Sequence, residues 1–212
     1  MNPVNPHLIL DIENGGFDIK KNPILELGWT WTDHGFDVFD HGVIKIMPPA
    51  GTILRESKDQ VIPEGAWIIE KQAADVNGYD SLLWQEQGAV GYRDGIAQFN
   101  DAMHKFPITR VFAHNKTTEE RWLGQHAPGF ASQVKEWECT MSALRGYWKE
   151  RGVTKPAGPV QNPDGSVTPG QLTLAYACRL TGHTQSGLHG ALEDCYATAA
   201  LAKFLKLYNK RP

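Results

Sequence analysis

The apolar positions change period along the chain, and the changes mark the elements. Leu8-Ile9-Leu10 is a continuous apolar run that passes into the alternation Asp11-Ile12-Glu13 and predicts a strand ending at Asn14-Gly15-Gly16. Asn22-Pro23 gives a turn. Ile24 to Thr32 is then rich in strand formers, with Trp29 and Trp31 on one face and Thr30 and Thr32 on the other. After the short turn Asp33-His34-Gly35, Phe36 to Met47 predicts a third strand, ended by Pro48-Pro49. The short connections among these three predict an antiparallel meander. Residues 48 to 92 are broken by Pro, Gly and Asp, and predict short helical pieces and loops.

A helical period follows. Ile96, Phe99 and Met103 line one side of a predicted helix from Arg93 to Lys105, stopped by Pro107. Arg110 to His114 reads as a short buried strand, followed by a helix from about Thr117 to Gln125. Residues 137 to 149 read as a strand and then a helix, Leu172 to Leu180 as a helix capped by Gly182, and about Ala191 to Asn209 as the last helix. This alternation predicts an α/β layered domain. An irregular insertion at about 152 to 170 holds four prolines and four glycines, with Asn162-Pro163-Asp164-Gly165 as a hairpin-turn candidate.

Composition narrows the class. A chain of 212 residues with 41% hydrophobic and 21% charged residues is expected to be a single domain, residues 1–212, of a soluble protein. No apolar run reaches the roughly 20 residues of a membrane span, and the first residues lack the features of a signal peptide, so no membrane partner is expected. Cys139, Cys178 and Cys195 form neither a zinc pattern nor a disulfide framework, which fits the cytoplasm. The net charge of −3 is unlike that of a protein that holds nucleic acid through phosphate contacts alone. A nucleic-acid enzyme of this charge would need bound metal ions at its acidic site. Lys203, Lys206, Lys210 and Arg211 read as a solvated helix end.

Three stretches carry candidate chemistry. Asp11 and Glu13, two residues apart on a strand, project to one face. Either both are solvated, or a hard divalent cation such as Mg²⁺ or Mn²⁺ relieves their repulsion. In His114-Asn115-Lys116-Thr117-Thr118-Glu119-Glu120, Thr117 and Glu120 match a capping box. Glu119 shares the side of Trp122 and Leu123, so it either faces inward or is an exposed helix-start acid favoured by the dipole. In His189-Gly190-Ala191-Leu192-Glu193-Asp194, Asp194 faces the packed side of the last helix and Glu193 faces solvent. His189 precedes the helix on a loop, either as a surface residue or as a group able to take a proton near neutrality.

Taken together, Asp11-x-Glu13, His114-Asn115 followed by Glu119, and His189 five residues before Asp194 resemble the three motifs of the DEDDh 3′→5′ exonucleases, a DnaQ-like family with the ribonuclease-H-like fold. Ile24-Leu25-Glu26-Leu27-Gly28 resembles the family's second strand, and residues 188 to 205 its last helix. The resemblance covers the chain apart from the insertion. It implies a three-layer α/β fold, with a mixed five-stranded sheet and helices on both faces. It also implies a two-metal hydrolysis that removes nucleoside 5′-monophosphates from the 3′ end of single-stranded DNA, with RNA as the alternative substrate. On this reading Asp11, Glu13, Asp194 and Glu119 hold two Mg²⁺ or Mn²⁺ ions, and His189 is the general base on the attacking water. Asn14, Gly15, Gly16, Phe17, His114 and Asn115 contact the terminal nucleotide. A polymerase or another replication or repair protein would be a partner. Two departures stand out: Glu119 replaces the usual Asp, moving the carboxylate by roughly 1.5 Å, and Asn14-Gly15 replaces the common Thr-Thr. A binding module that has lost the activity is the rival reading.

Overall fold

The computed structural model describes residues 5–152, 160–161, 167–168, 173–182 and 190–207. Three strands come first: β1 (His7–Asn14), β2 (Ile24–Thr32) and β3 (Val38–Lys45). Two three-residue strands follow, β4 (Ile53–Arg55) and β5 (Ile68–Glu70), then helices α1 (Lys71–Asn77), α2 (Ser81–Glu86) and α3 (Tyr92–Met103). The middle of the chain supplies β6 (Arg110–Ala113), α4 (Lys116–His126), α5 (Pro128–Ala131), β7 (Glu136–Cys139) and α6 (Thr140–Lys149). Strands β8 (Val160–Gln161) and β9 (Val167–Thr168) and helices α7 (Leu174–Leu180) and α8 (Ala191–Phe204) complete it.

The main sheet has the order β3-β2-β1-β6-β7. The first three strands form the expected antiparallel meander, while β6 runs parallel to β1 and β7 parallel to β6. The sheet is therefore mixed, and the carboxyl ends of β1 and β6 lie at one edge, where open α/β sheets place their ligands.

Alternation along β1 divides the molecule into layers. Leu8, Leu10 and Ile12 pair with Trp31, Trp29 and Leu27. They pack with Phe99 and Met103 of α3, Trp122 and Leu123 of α4, and Phe130 of α5. Ile9 faces the other way and joins Phe112, Leu144 of α6, Leu174 of α7, and Cys195 and Ala199 of α8. Every residue of β2 is buried, as befits a strand covered on both faces. The three-layer α/β arrangement expected from the sequence is thus present.

Several local expectations are corrected. Phe36 is not in β3: it sits in the preceding turn at φ 65°, where the Asp33 carboxylate accepts from the amides of Gly35 and Asp37 at 2.8 and 2.9 Å. The parallel pair β4 and β5 lies in the stretch expected to hold only helical pieces and loops. The insertion carries the antiparallel pair β8 and β9, and the turn candidate 162–165 between them lies outside the described residues. The last helix ends at Phe204, short of the expected Asn209. No helix among the described residues is long and apolar enough to cross a membrane.

Candidate metal centre

Asp11 and Glu13 lie on the face of β1 that α8 covers. Their β2 partners are Gly28 and Glu26, and Gly28 lies directly beneath the start of α8: a Cβ built there would stand 2.3 Å from the Ala191 carbonyl carbon. Only a glycine lets the helix backbone come this close. The approach brings Asp194, in the first turn of α8, to the two β1 acids. One carboxylate oxygen from each of Asp11, Glu13 and Asp194 lies within 4.8 Å of the others. Asp194 is buried and Glu193 is exposed, as the helical spacing predicts. A register shift between Glu13 and Asn14 marks a bulge, which ends the pairing and redirects the chain beside the acids.

Glu119 enters from α4. Its side chain is inward, with the residue 4% exposed, and Oε2 has no hydrogen-bond partner among the described residues. It stands outside the set of three that lies within 4.8 Å, yet its charge acts on Asp11 and feels Glu13. The capping box expected for Thr117 and Glu120 is absent. The helix already begins at Lys116, the Thr118 amide donates to the Asn115 carbonyl at 2.9 Å, and both Thr117 and Glu120 are exposed.

The electrostatics of the cluster are those of acids buried close to one another. Burial raises the Asp11 carboxyl well above the usual carboxylate range, and the charges of Glu13, Glu119, Asp194 and Glu26 add to the rise. Glu13 is pushed up to about 8 by burial and then by Asp194 and Glu26, with Lys45 opposing. Glu119 is pushed up to about 8, mainly by burial. Such an all-oxygen donor set, with one buried oxygen unpartnered, fits a hard divalent cation and no softer ligand chemistry. Asp11, Glu13 and Asp194 are the residues placed to hold it.

The expected nucleotide contacts fall in two places. Asn14, Gly16 and Phe17 line a cleft of about 760 Å³ that begins at Glu13 and continues to Arg55, Lys58 and Glu70. Gly16 adopts φ 151°, and a Cβ there would meet Glu70 and Asn22 within 2.9 Å. Gly15 is buried, its carbonyl accepting from the Glu70 amide at 2.7 Å. Phe17 is 93% exposed. His114, by contrast, is buried, its Nδ1 3.1 Å from the Thr140 hydroxyl. The Asn115 amide donates to Thr118 Oγ1 at 3.0 Å. His189 lies outside the described residues.

Several residues of this region escaped sequence reasoning. Arg55 Nε donates to Glu70 Oε2 at 2.8 Å along one wall of the cleft. Asn22, fully buried, accepts from the Asp18 amide and donates to the Ile68 carbonyl, both at 2.7 Å. Glu26 is buried beside Glu13. Its sequence signal was a lone acid within the apolar run Ile24-Leu25-Glu26-Leu27, in the stretch noted above for its resemblance to a second strand.

No family model and no curated protein matches the chain. Solved structures do. Exonuclease I of E. coli in complex with a dT13 oligonucleotide superposes with a TM-score of 0.65 at 17% identity, over 95% of this chain and 41% of that one. A moderately thermophilic exonuclease I from Methylocaldum szegediense gives 0.67 at 16% identity, over 98% and 41%. The zinc-bound form of the E. coli exonuclease I–single-stranded DNA complex gives 0.67 at 19%, over 98% and 42%. The chain thus spans about two fifths of the length of these exonuclease I chains. What it has in common with them is the ribonuclease-H-like fold.

Proposed function

We propose that this chain is a divalent-metal-dependent 3′→5′ exonuclease that removes nucleoside 5′-monophosphates from single-stranded DNA. One observation carries the reading: acids from β1 and α8, 181 positions or more apart in sequence, converge to within 4.8 Å at the carboxyl edge of the sheet. The solved structures reported above are of exonuclease I, among them complexes with a dT13 oligonucleotide and with single-stranded DNA.

Asp11, Glu13 and Asp194 would hold the cation, and Glu119 would support a second from its unpartnered oxygen. When bound, Mg²⁺ or Mn²⁺ would polarise the scissile phosphate and offset its charge and that of the acids. His189 would take the proton released by the attacking water. Asn14 and Gly16 would line the seat of the terminal sugar, with the buried Gly15 holding the turn beneath them through its bond to Glu70. The exposed Phe17 ring would stack on its base. His114 would act indirectly, holding Thr140 and so the end of β6. Asn115 would lie beside the phosphate backbone. The cleft running from Glu13 to Arg55 and Lys58 suits a flexible strand, and the acidic site makes metal loading a condition of phosphate binding.

The test is incubation of 5′-labelled single-stranded DNA and RNA with the protein and Mg²⁺ or Mn²⁺. A ladder shortening from the 3′ end of DNA, absent in Asp11→Ala, is the expected result. Shortening of RNA alone would reassign the substrate. An intact pool of both polymers with either metal would overturn the reading in favour of a binding module.

A further inference from the structure

Glu26 is a charged side chain buried in the middle of an apolar strand, and the chemistry proposed above does not use it. It is 4% exposed and lies across the sheet between Glu13 on β1 and Lys45 on β3, its two register partners. Both of its oxygens are engaged. Oε2 accepts from Lys45 Nζ at 2.7 Å, and Oε1 accepts from the backbone amide of Ala191 at 2.9 Å. A carboxylate held in this way by protein donors is not presented as a ligand.

The Ala191 amide is the first of α8, one of the helix-start donors that lack an intrahelical partner. The residue before it, Gly190, has no side chain and makes no cap bond. A donor of this helix start is therefore satisfied from another strand, 165 positions away in sequence. Beside the same contact, Gly28 leaves no room between β2 and the Ala191–Leu192 backbone. Two residues of β2 thus fix α8 in complementary ways: Gly28 sets how close it comes, and Glu26 sets where along β2 its first turn begins. Asp194 lies in that turn, its amide donating to the Gly190 carbonyl at 3.0 Å.

We infer that Glu26 is a positioning residue for the candidate metal centre, setting Asp194 against Asp11 and Glu13 through its bond to the Ala191 amide. The inference rests on the metal-dependent reading proposed above. A displaced helix start would leave the chain folded but would spread the three carboxylates. Residues that orient metal ligands from outside the coordination sphere commonly change affinity by roughly 10–100-fold when removed.

The experiment measures Mn²⁺ affinity by electron paramagnetic resonance, together with kcat and KM on single-stranded DNA and hydrogen exchange at the Ala191 amide. Glu26→Leu keeps an apolar side chain of similar size in an apolar strand and removes both acceptors. It is expected to weaken Mn²⁺ binding by roughly 10–100-fold, to lower kcat more than it raises KM, and to deprotect the Ala191 amide. Glu26→Gln retains an acceptor for that amide and should restore most of the affinity. Lys45→Met removes the ion pair but leaves the Ala191 bond, and should bind Mn²⁺ as the parent does. Parental affinity in a folded Glu26→Leu variant overturns the inference. So does a loss in Lys45→Met as large as that in Glu26→Leu, which would assign the effect to the ion pair rather than to the hold of Glu26 on the helix. Should the Leu variant not fold, Glu26→Val, a strand former that also removes both acceptors, is held to the same outcomes. A parent that neither binds Mn²⁺ nor degrades DNA overturns the nuclease reading itself, and the inference with it.

Discussion

Glu119→Gln offers a test of the acidic site that needs no substrate. In the metal-free protein the Glu119 carboxyl is pushed up to about 8, chiefly by burial, whereas in the unfolded chain it titrates near its ordinary 4.5. A carboxyl whose pKa is raised by folding keeps its proton in the native state across that window. Stability is therefore greatest at the acidic end and is lost as pH rises from about 4.5 to about 8. Gln is neutral throughout and removes this contribution. Single-site linkage between about pH 5 and about pH 7.5 amounts to about 3 kcal/mol. In a chain of this size that corresponds to about 6–12 °C in Tm. The assay is thermal unfolding of parent and variant in EDTA at the two pH values. The advantage of the Gln variant over the parent should grow by that amount from the lower pH to the higher. Adding Mn²⁺ at the higher pH should then narrow the difference by stabilising the parent, because the cation replaces the proton as the partner of the acids. Parallel pH profiles in EDTA would mean that Glu119 is neither as buried nor as poorly partnered as the structure has it.

Three further outcomes are expected. His7, 7% exposed and packed against the rings of His34, Phe36 and Phe112, is lowered to about 4 by burial and then by Arg110 and His34. The unfolded chain binds the proton first, so stability falls as pH drops from about 6.5 to about 4. His7→Phe should remove on the order of 3 kcal/mol of that loss in urea unfolding, and an unchanged acid limb would contradict it. Gly28→Ala places a methyl against helix backbone and should cost about 1–3 kcal/mol, so a parental Tm would show that α8 has room to shift. Phe17→Ala should leave stability within about 0.5 kcal/mol but weaken single-stranded DNA binding by about 1–3 kcal/mol through lost stacking. Titration by fluorescence anisotropy in Ca²⁺ measures this, and an unaltered Kd would remove Phe17 from the contact surface.

The parts of this fold that could be read from sequence are those whose information is local. The apolar run Leu8 to Leu10, the alternating tryptophans and threonines of β2 and the spacing of Ile96, Phe99 and Met103 each announce their element within a dozen residues. Strands β4 and β5, of three residues each, are too short to show a period, and they are defined by pairing with one another. The expected capping box failed because a local pattern at Thr117 and Glu120 was overridden by where the β6 end releases the chain, at Asn115. The acids Asp11, Glu13, Glu119 and Asp194 were visible because their spacing matches a known arrangement. Glu26 lies in a stretch that resembles the family's second strand, yet its role was not visible. Its meaning comes from an amide 165 positions away, and no window of sequence contains both.

That distance also bears on how the protein is made. Asp11 and Glu13 leave the ribosome 181 positions or more ahead of Asp194. The first two acids therefore wait for the third through all of that synthesis, and any chain released before α8 lacks the candidate centre. On the function proposed above, metal binding at this centre can begin only once α8 has emerged. A fragment left by premature termination or by proteolysis ahead of α8 would keep Asp11 and Glu13 without Asp194, and so would lack the proposed activity.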